Sequence, residues 1–133
     1  MSICIVAFDH SPILLKLYDT ILSPRGYAVF GYQQDMTGFQ EVEALSPDLI
    51  LLGNVTGLDE HQLDILDQIR TRPHTQHLPV IVATTASEPL LNFNRLRAFG
   101  RLYVLAKPFN TQQLLDAVNQ SLASPHSGDG AFH

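Results

Sequence analysis

Five short apolar runs alternate with stretches of helical period, and that alternation leaves few folds open to this chain. The runs are Ile3 to Phe8, Tyr27 to Tyr32, Leu49 to Leu52, Val80 to Ala83 and Leu102 to Leu105. Each is of strand length and close to continuous in apolar character, which predicts strands covered on both faces rather than strands with one wet face. Between the first two, Ile13, Leu14, Leu17, Tyr18, Ile21 and Leu22 recur at helical spacing. Ser11 stands before them as an N-cap, Pro12 suits the first helical position, and Gly26 closes the unit. Thr37 is placed to cap a short second helix, with Gln40 at the capping-box position. A third helix is expected from about Asp59 to Arg70, and a fourth from Ser87 to Gly100. Asn110, with Gln113 three residues on, opens a fifth over Leu114, Leu115, Val118 and Leu122. Strands and helices in strict alternation imply a parallel sheet with helices on both faces. Right-handed crossovers then bring every strand's C-terminal end to one edge, where ligands and chemistry collect.

At 133 residues, 45% of them apolar and 16% charged, the chain suits one soluble domain, expected over residues 1–123. "ASPHSGDGAFH" has turn-forming composition without a period, so 124–133 is expected to be a flexible tail. No apolar run approaches a membrane span, and the first residues lack the pattern of a signal peptide. With Cys4 the sole cysteine, expected as a small buried apolar residue, the reading is cytoplasmic, without a disulfide framework or cysteine metal site. A net charge of −5 argues against direct nucleic-acid binding. Arg95, Arg97 and Arg101 read as a solvated helix end.

The strand ends carry Phe8-Asp9-His10-Ser11-Pro12, then Gly53-Asn54-Val55, then Thr84-Thr85-Ala86, and finally Lys107-Pro108-Phe109. None carries a dinucleotide or nucleotide phosphate loop, and there is no nucleophile elbow, so no catalytic constellation is visible and enzyme activity is not expected. His74 and His77 lie within a polar loop, "RPHTQHLP", without a cysteine or acidic partner, and read as solvated.

These motifs in register resemble the receiver domain of two-component response regulators, over about residues 2 to 122. Phe8 to Pro12 is similar to that family's V-D-D-S-P, Gly26-Tyr27 to its G-Y, and "PDLILLG" to P-D-L-I-L-L-D. "PVIVATT" and "GRLYVLAKPF" match its strand-four and strand-five motifs, with Gly100 seven residues before Lys107. The resemblance implies a flavodoxin-like, doubly wound (βα)5 sandwich with strand order 2-1-3-4-5. It also implies a pocket in which three acids hold magnesium, the last accepts a phosphoryl group, and a hydroxyl and a lysine contact it. Carried over by position, Asp9 matches the first acid, Thr84 the hydroxyl and Lys107 the lysine, while His10 replaces the second acid and Gly53 the phosphoacceptor. Val104 stands at the strand-five switch position with Tyr103 one residue early, and the loop from Gly53 to Gly57 is one residue shorter than usual and lacks its proline.

Magnesium wants oxygen ligands, usually with one or two carboxylates, and His10 offers nitrogen instead. Phosphoryl transfer needs an oxygen nucleophile, which glycine lacks. The expectation is therefore a degenerate receiver with magnesium binding weak or lost, in which Asp9 and Lys107 lie within ion-pair reach. It would act as a phosphorylation-independent interaction module in two-component signalling. Its partners would be signalling proteins or a second copy, docking on the face of the fourth helix, fifth strand and fifth helix, with homodimerisation among the possibilities. That face would draw on Leu90 to Arg101, Tyr103 and Gln112 to Gln120. Two alternatives stay open: phosphorylation at another acceptor such as Asp9 or Asp59, or a small-ligand or metal site using Asp9, His10, Thr84 and Lys107.

Overall fold

A computed structural model describes residues 3–33, 40–53, 67–72, 75–84 and 102–123, without the side chains of Gln40, Glu41, Glu43 and Thr84. In chain order the elements are β1 (Ile3–Phe8), α1 (Pro12–Leu22), a 3-10 turn (Ser23–Arg25), β2 (Tyr27–Tyr32), α2 (Gln40–Leu45) and β3 (Leu49–Leu52). Then come a helical stretch at 67–71, here α3, and β4 (Val80–Thr84), β5 (Leu102–Ala106) and α4 (Thr111–Ala123). All neighbouring strands run parallel in the order β2-β1-β3-β4-β5. This is the flavodoxin-like doubly wound α/β fold, with the strand order that the family resemblance implied. The chain leaves β1 toward one side for β2 and toward the other for β3, so the crevice opens at the C-terminal ends of β1 and β3.

Each sheet face has its own core. Val6, Ile50, Val80 and Leu102 pack beneath Val42 of α2 and Ile69 of α3. Ile5, Leu49, Leu51 and Ile81 pack beneath Tyr18 and Leu22 of α1 and Leu114 and Val118 of α4. Ile5, Leu49, Ile50, Leu51 and Ile81 are wholly inaccessible; each such side chain stabilises by about 1.5–3 kcal/mol over leaving it in water. Covering on both faces holds only for the central strands. On the edge strand β2, Phe30 is 41% exposed, and on β5, Val104 is 41% exposed between buried neighbours. An apolar run at a sheet edge has a neighbour on one side only, so continuity of sequence there does not mean continuity of burial. β4 and β5 each run one residue past their apolar run, because Thr84 pairs with Ala106.

The caps act as their sequences imply. Ser11 Oγ accepts from Leu14 N at 3.2 Å, and Asn110 and Gln113 exchange side-chain-to-backbone hydrogen bonds at 2.7 and 2.8 Å. Gly26, at φ 92, ends the 3-10 turn in the left-handed region that favours glycine. The loop after α3 is not simply solvated, as its polar sequence suggests. Thr75 is wholly buried, its hydroxyl donating to Ile69 O at 2.7 Å, and Arg70 donates to Leu78 O at 2.6 Å. Those bonds, one from the loop and one from α3, satisfy carbonyls at a helix end and a strand entry, which apolar side chains could not do. Cys4 is half-buried rather than buried, and desolvation, aided by the charge of Asp48, raises its thiol pKa. No described helix is long and apolar enough to cross a membrane. Thr37, His74, residues 59–66 of the expected third helix, the expected fourth helix with Arg95, Arg97 and Arg101, and residues 124–133 lie outside the described residues.

Candidate functional site

The crevice is floored by Asp9, the first residue past β1, and Gly53, the first past β3. Sheet pairing fixes both backbones: Asp9 N donates to Tyr32 O at 3.0 Å, and Gly53 N donates to Phe8 O at 2.6 Å. Asp9 is only 2% exposed, so its carboxylate must find partners inside the protein. It finds three. Oδ1 accepts from Ser11 N at 3.0 Å, in a local turn that also sets the start of α1. Oδ2 accepts from the Tyr18 hydroxyl at 2.9 Å and from Lys107 Nζ at 3.0 Å. The Lys107 ammonium, its side chain 14% exposed, also donates to Gly53 O at 2.8 Å. Tyr18 is held in turn by stacking on Phe109, with ring centroids 5.9 Å apart and planes 15° from parallel. One carboxylate thus joins the end of β1 to α1 and to the segment after β5, and Lys107 carries the link on to the end of β3.

Gly53 is glycine because of this arrangement. Its backbone is not in the left-handed region, so conformation does not demand glycine here. A β-carbon built on it would overlap Asp9 Oδ2 and lie 2.8 Å from Asp9 Cγ and 3.1 Å from Asp9 Cβ. The Asp9 side chain therefore fills the volume that any side chain at position 53 would need first. Among the described residues the cluster is a single acid against a single ammonium, with a phenol donating to the acid. Burial is the main reason that the Tyr18 pKa stands well above its ordinary value; the negative charge of Asp9, and then the hydrogen bond to it, push the same way.

A family model described as the response regulator receiver domain matches residues 3–119. The chain belongs to that family. Among solved structures, this receiver domain is similar to the chemotaxis response regulator CheY4 of Vibrio cholerae, with TM-score 0.76 and 19% identity over 92% of this chain and 100% of that one. A response regulator from Thermotoga maritima gives TM-score 0.75 and 22% identity, covering 93% and 100% of the two chains. A response regulator receiver modulated diguanylate cyclase from Pelobacter carbinolicus gives 0.69 and 16%, over 92% and 94%. No curated protein matches the chain. At these identities the structural likeness concerns the fold.

Of the positions singled out in the sequence, the receiver domain brings Asp9, Gly53 and Lys107 into direct contact. His10 is exposed beside them, its carbonyl accepting from Gln33 Nε2 at 3.4 Å. Thr84 ends β4 next to Ala106; its side chain, with Thr85 and Asp59, lies outside the described residues. Tyr103 points into the core, 5% exposed, while Val104 faces outward. Tyr18 is the site residue that sequence reasoning missed. Helical spacing makes it one more apolar contact on the buried stripe of α1, although a buried phenol must place its hydroxyl on a partner. Nine residues after an aspartate that also ends a strand, that hydroxyl was the available signal.

Proposed function

We propose that this receiver domain works in two-component signal transduction as a degenerate receiver, through protein contacts that do not depend on aspartyl phosphorylation. The observation carrying this reading is the occupied space over Gly53. The position that ends β3 has no side chain, and the room for one is taken by a carboxylate already holding three donors. Asp9 itself is a poor acceptor of a phosphoryl group. Its Oδ2 is committed to Tyr18 and Lys107, and it is 2% exposed, so attack by Oδ2 on an in-line donor requires giving up those bonds.

The contacts are assigned to the face of β5 and α4. Val104 stands out from β5, and Gln112, Gln113, Asp116, Asn119 and Gln120 are exposed along α4. We assign to this edge of the domain an exposed apolar side chain on β5 and, on α4, a row of amide side chains, chemistry suited to a signalling protein or a second copy of the domain. Incubation with a small-molecule phosphodonor and magnesium, followed by intact mass, tests the reading; the expected result is an unchanged mass. A stable adduct of about 80 Da on Asp9, Asp59 or any other carboxylate overturns it. Sedimentation velocity across a concentration series tests self-association, and a strict monomer at high concentration removes the second copy as the partner.

A further inference from the structure

Lys107 makes two contacts that together define a cation site. Its ammonium sits 3.0 Å from Asp9 Oδ2 and 2.8 Å from Gly53 O, within a pocket where its side chain is 14% exposed. Those two oxygens are what a hard divalent ion would seek at this edge of the sheet: one carboxylate and one backbone carbonyl. Neither is available. Asp9 Oδ2 also holds the Tyr18 hydroxyl, and Oδ1 holds Ser11 N, so the carboxylate's acceptor positions face protein donors. Gly53 supplies no second carboxylate, and among the described residues no three His, Cys, Asp or Glu side chains converge to hold a metal. With the Lys107 ammonium on both oxygens, the described residues do not fit a magnesium ion.

We infer that the Lys107 ammonium is the resident cation of this pocket, tethered in place of a divalent metal, with Tyr18 as the positioning residue that turns Asp9 toward it. The inference rests on the reading of the domain as a degenerate receiver, and it adds what fills the site. A positive charge between β1 and β3 is required because Asp9 is buried, and a covalently attached ammonium meets that requirement at any ionic composition of the medium. Tyr18 contributes orientation. Its hydroxyl and the Lys107 ammonium approach the same oxygen, and stacking on Phe109 keeps the phenol from swinging away. The ends of β1 and β3 and the segment after β5 are thereby joined without any ligand from outside.

The test uses the full chain stripped with a chelator. Manganese titrated into the 15N-labelled protein, at constant ionic strength, should leave the Asp9 and Gly53 amides unbroadened, and millimolar magnesium should not move the melting temperature. In Lys107→Met the carboxylate loses its counter-charge, so manganese should broaden those amides and magnesium should raise the melting temperature. Tyr18→Phe, which keeps the ring and the ammonium, should stay indifferent to both metals but lose the hydrogen-bond restraint, read as averaged side-chain couplings at Asp9. Selective manganese broadening at Asp9 and Gly53 in the unmodified protein overturns the inference, whether or not the variant folds. A folded Lys107→Met that ignores both metals overturns it too. A phosphoryl adduct without metal broadening refutes the degenerate-receiver reading and leaves the resident cation standing.

Discussion

Replacing Gly53 by alanine sets two physical effects of opposite sign against each other. Gly53 lies outside the left-handed region, so alanine there needs no unusual backbone; by reducing the freedom of the unfolded chain it should stabilise by about 0.4–1 kcal/mol. Against that, its β-carbon overlaps Asp9 Oδ2 and sits 2.8 Å from Asp9 Cγ. A flexible surface side chain would step aside at little cost. Asp9 cannot, because its own Cβ is only 3.1 Å from the new atom and its carboxylate is pinned by Ser11, Tyr18 and Lys107. Displacing it breaks at least the Tyr18 and Lys107 bonds, each to a charged acceptor and worth roughly 1.5–3 kcal/mol. Lys107 retains Gly53 O, which places the loss toward the low end of the ~3–5 kcal/mol seen when a buried pair is broken. The net expectation is a destabilisation of roughly 2–4 kcal/mol, a fall in melting temperature of about 10 °C for a domain of this size. Urea denaturation of a double-mutant cycle isolates the cause. With Asp9→Ala already present the space is empty, so Gly53→Ala should become neutral or mildly stabilising, giving a coupling of about 3 kcal/mol. If Gly53→Ala alone is as stable as the parent, or costs the same in both backgrounds, the account of why this position is glycine is wrong.

Gly53→Asp meets the same obstruction at its β-carbon, so it should acquire no phosphoryl adduct under the conditions that label ordinary receivers; robust labelling by intact mass would show that Asp9 yields readily. Tyr18→Phe should cost about 1.5–3 kcal/mol in urea denaturation, since it removes a donor to a buried charge while leaving the ring stacked on Phe109. It should also change the alkaline limb of stability. The folded Tyr18 pKa is raised above the unfolded value, so the contribution of the neutral phenol is complete below about pH 10 and declines above it, by up to ~1.4 kcal/mol per pH unit. That slope should be shallower in the Phe variant, and identical slopes would remove Tyr18 from the account. Tyr103 offers the reverse case: its hydroxyl is buried and, among the described residues, has no hydrogen-bond partner, so Tyr103→Phe should be neutral or stabilise by about 1 kcal/mol, and a clear loss would mean that a partner exists.

What the sequence makes legible, and what it hides, follows from the range over which each feature is determined. β1, α1, β2 and β3 begin and end where composition places them, because apolar runs, a Ser-Pro start and a glycine stop act within a few residues. The reciprocal Asn110 and Gln113 cap is equally local. The extra residue on β4 and β5 is not, since it depends on Thr84 meeting Ala106 across the sheet. Exposure of Phe30 and Val104 was hidden for the same reason, because a strand's place at the edge belongs to the sheet and not to the run.

The site divides along the same line. That a single acid faces a single lysine could be read by position, but the direction of the Asp9 side chain could not. Direction is decided by Tyr18 from α1, by Lys107 ninety-eight residues away, and by the absence of a β-carbon at Gly53. Taken one at a time, these look unrelated: an apolar helix residue, a lysine after β5 and a glycine after β3. In the folded chain they are mutually dependent, since restoring a side chain at 53 displaces Asp9, and displacing Asp9 strands a buried phenol and an ammonium. The side chain absent at position 53 is therefore not an empty space, because Asp9 occupies it. Under the reading proposed above, a Gly53→Asp reversal meets Asp9 before it meets any phosphodonor.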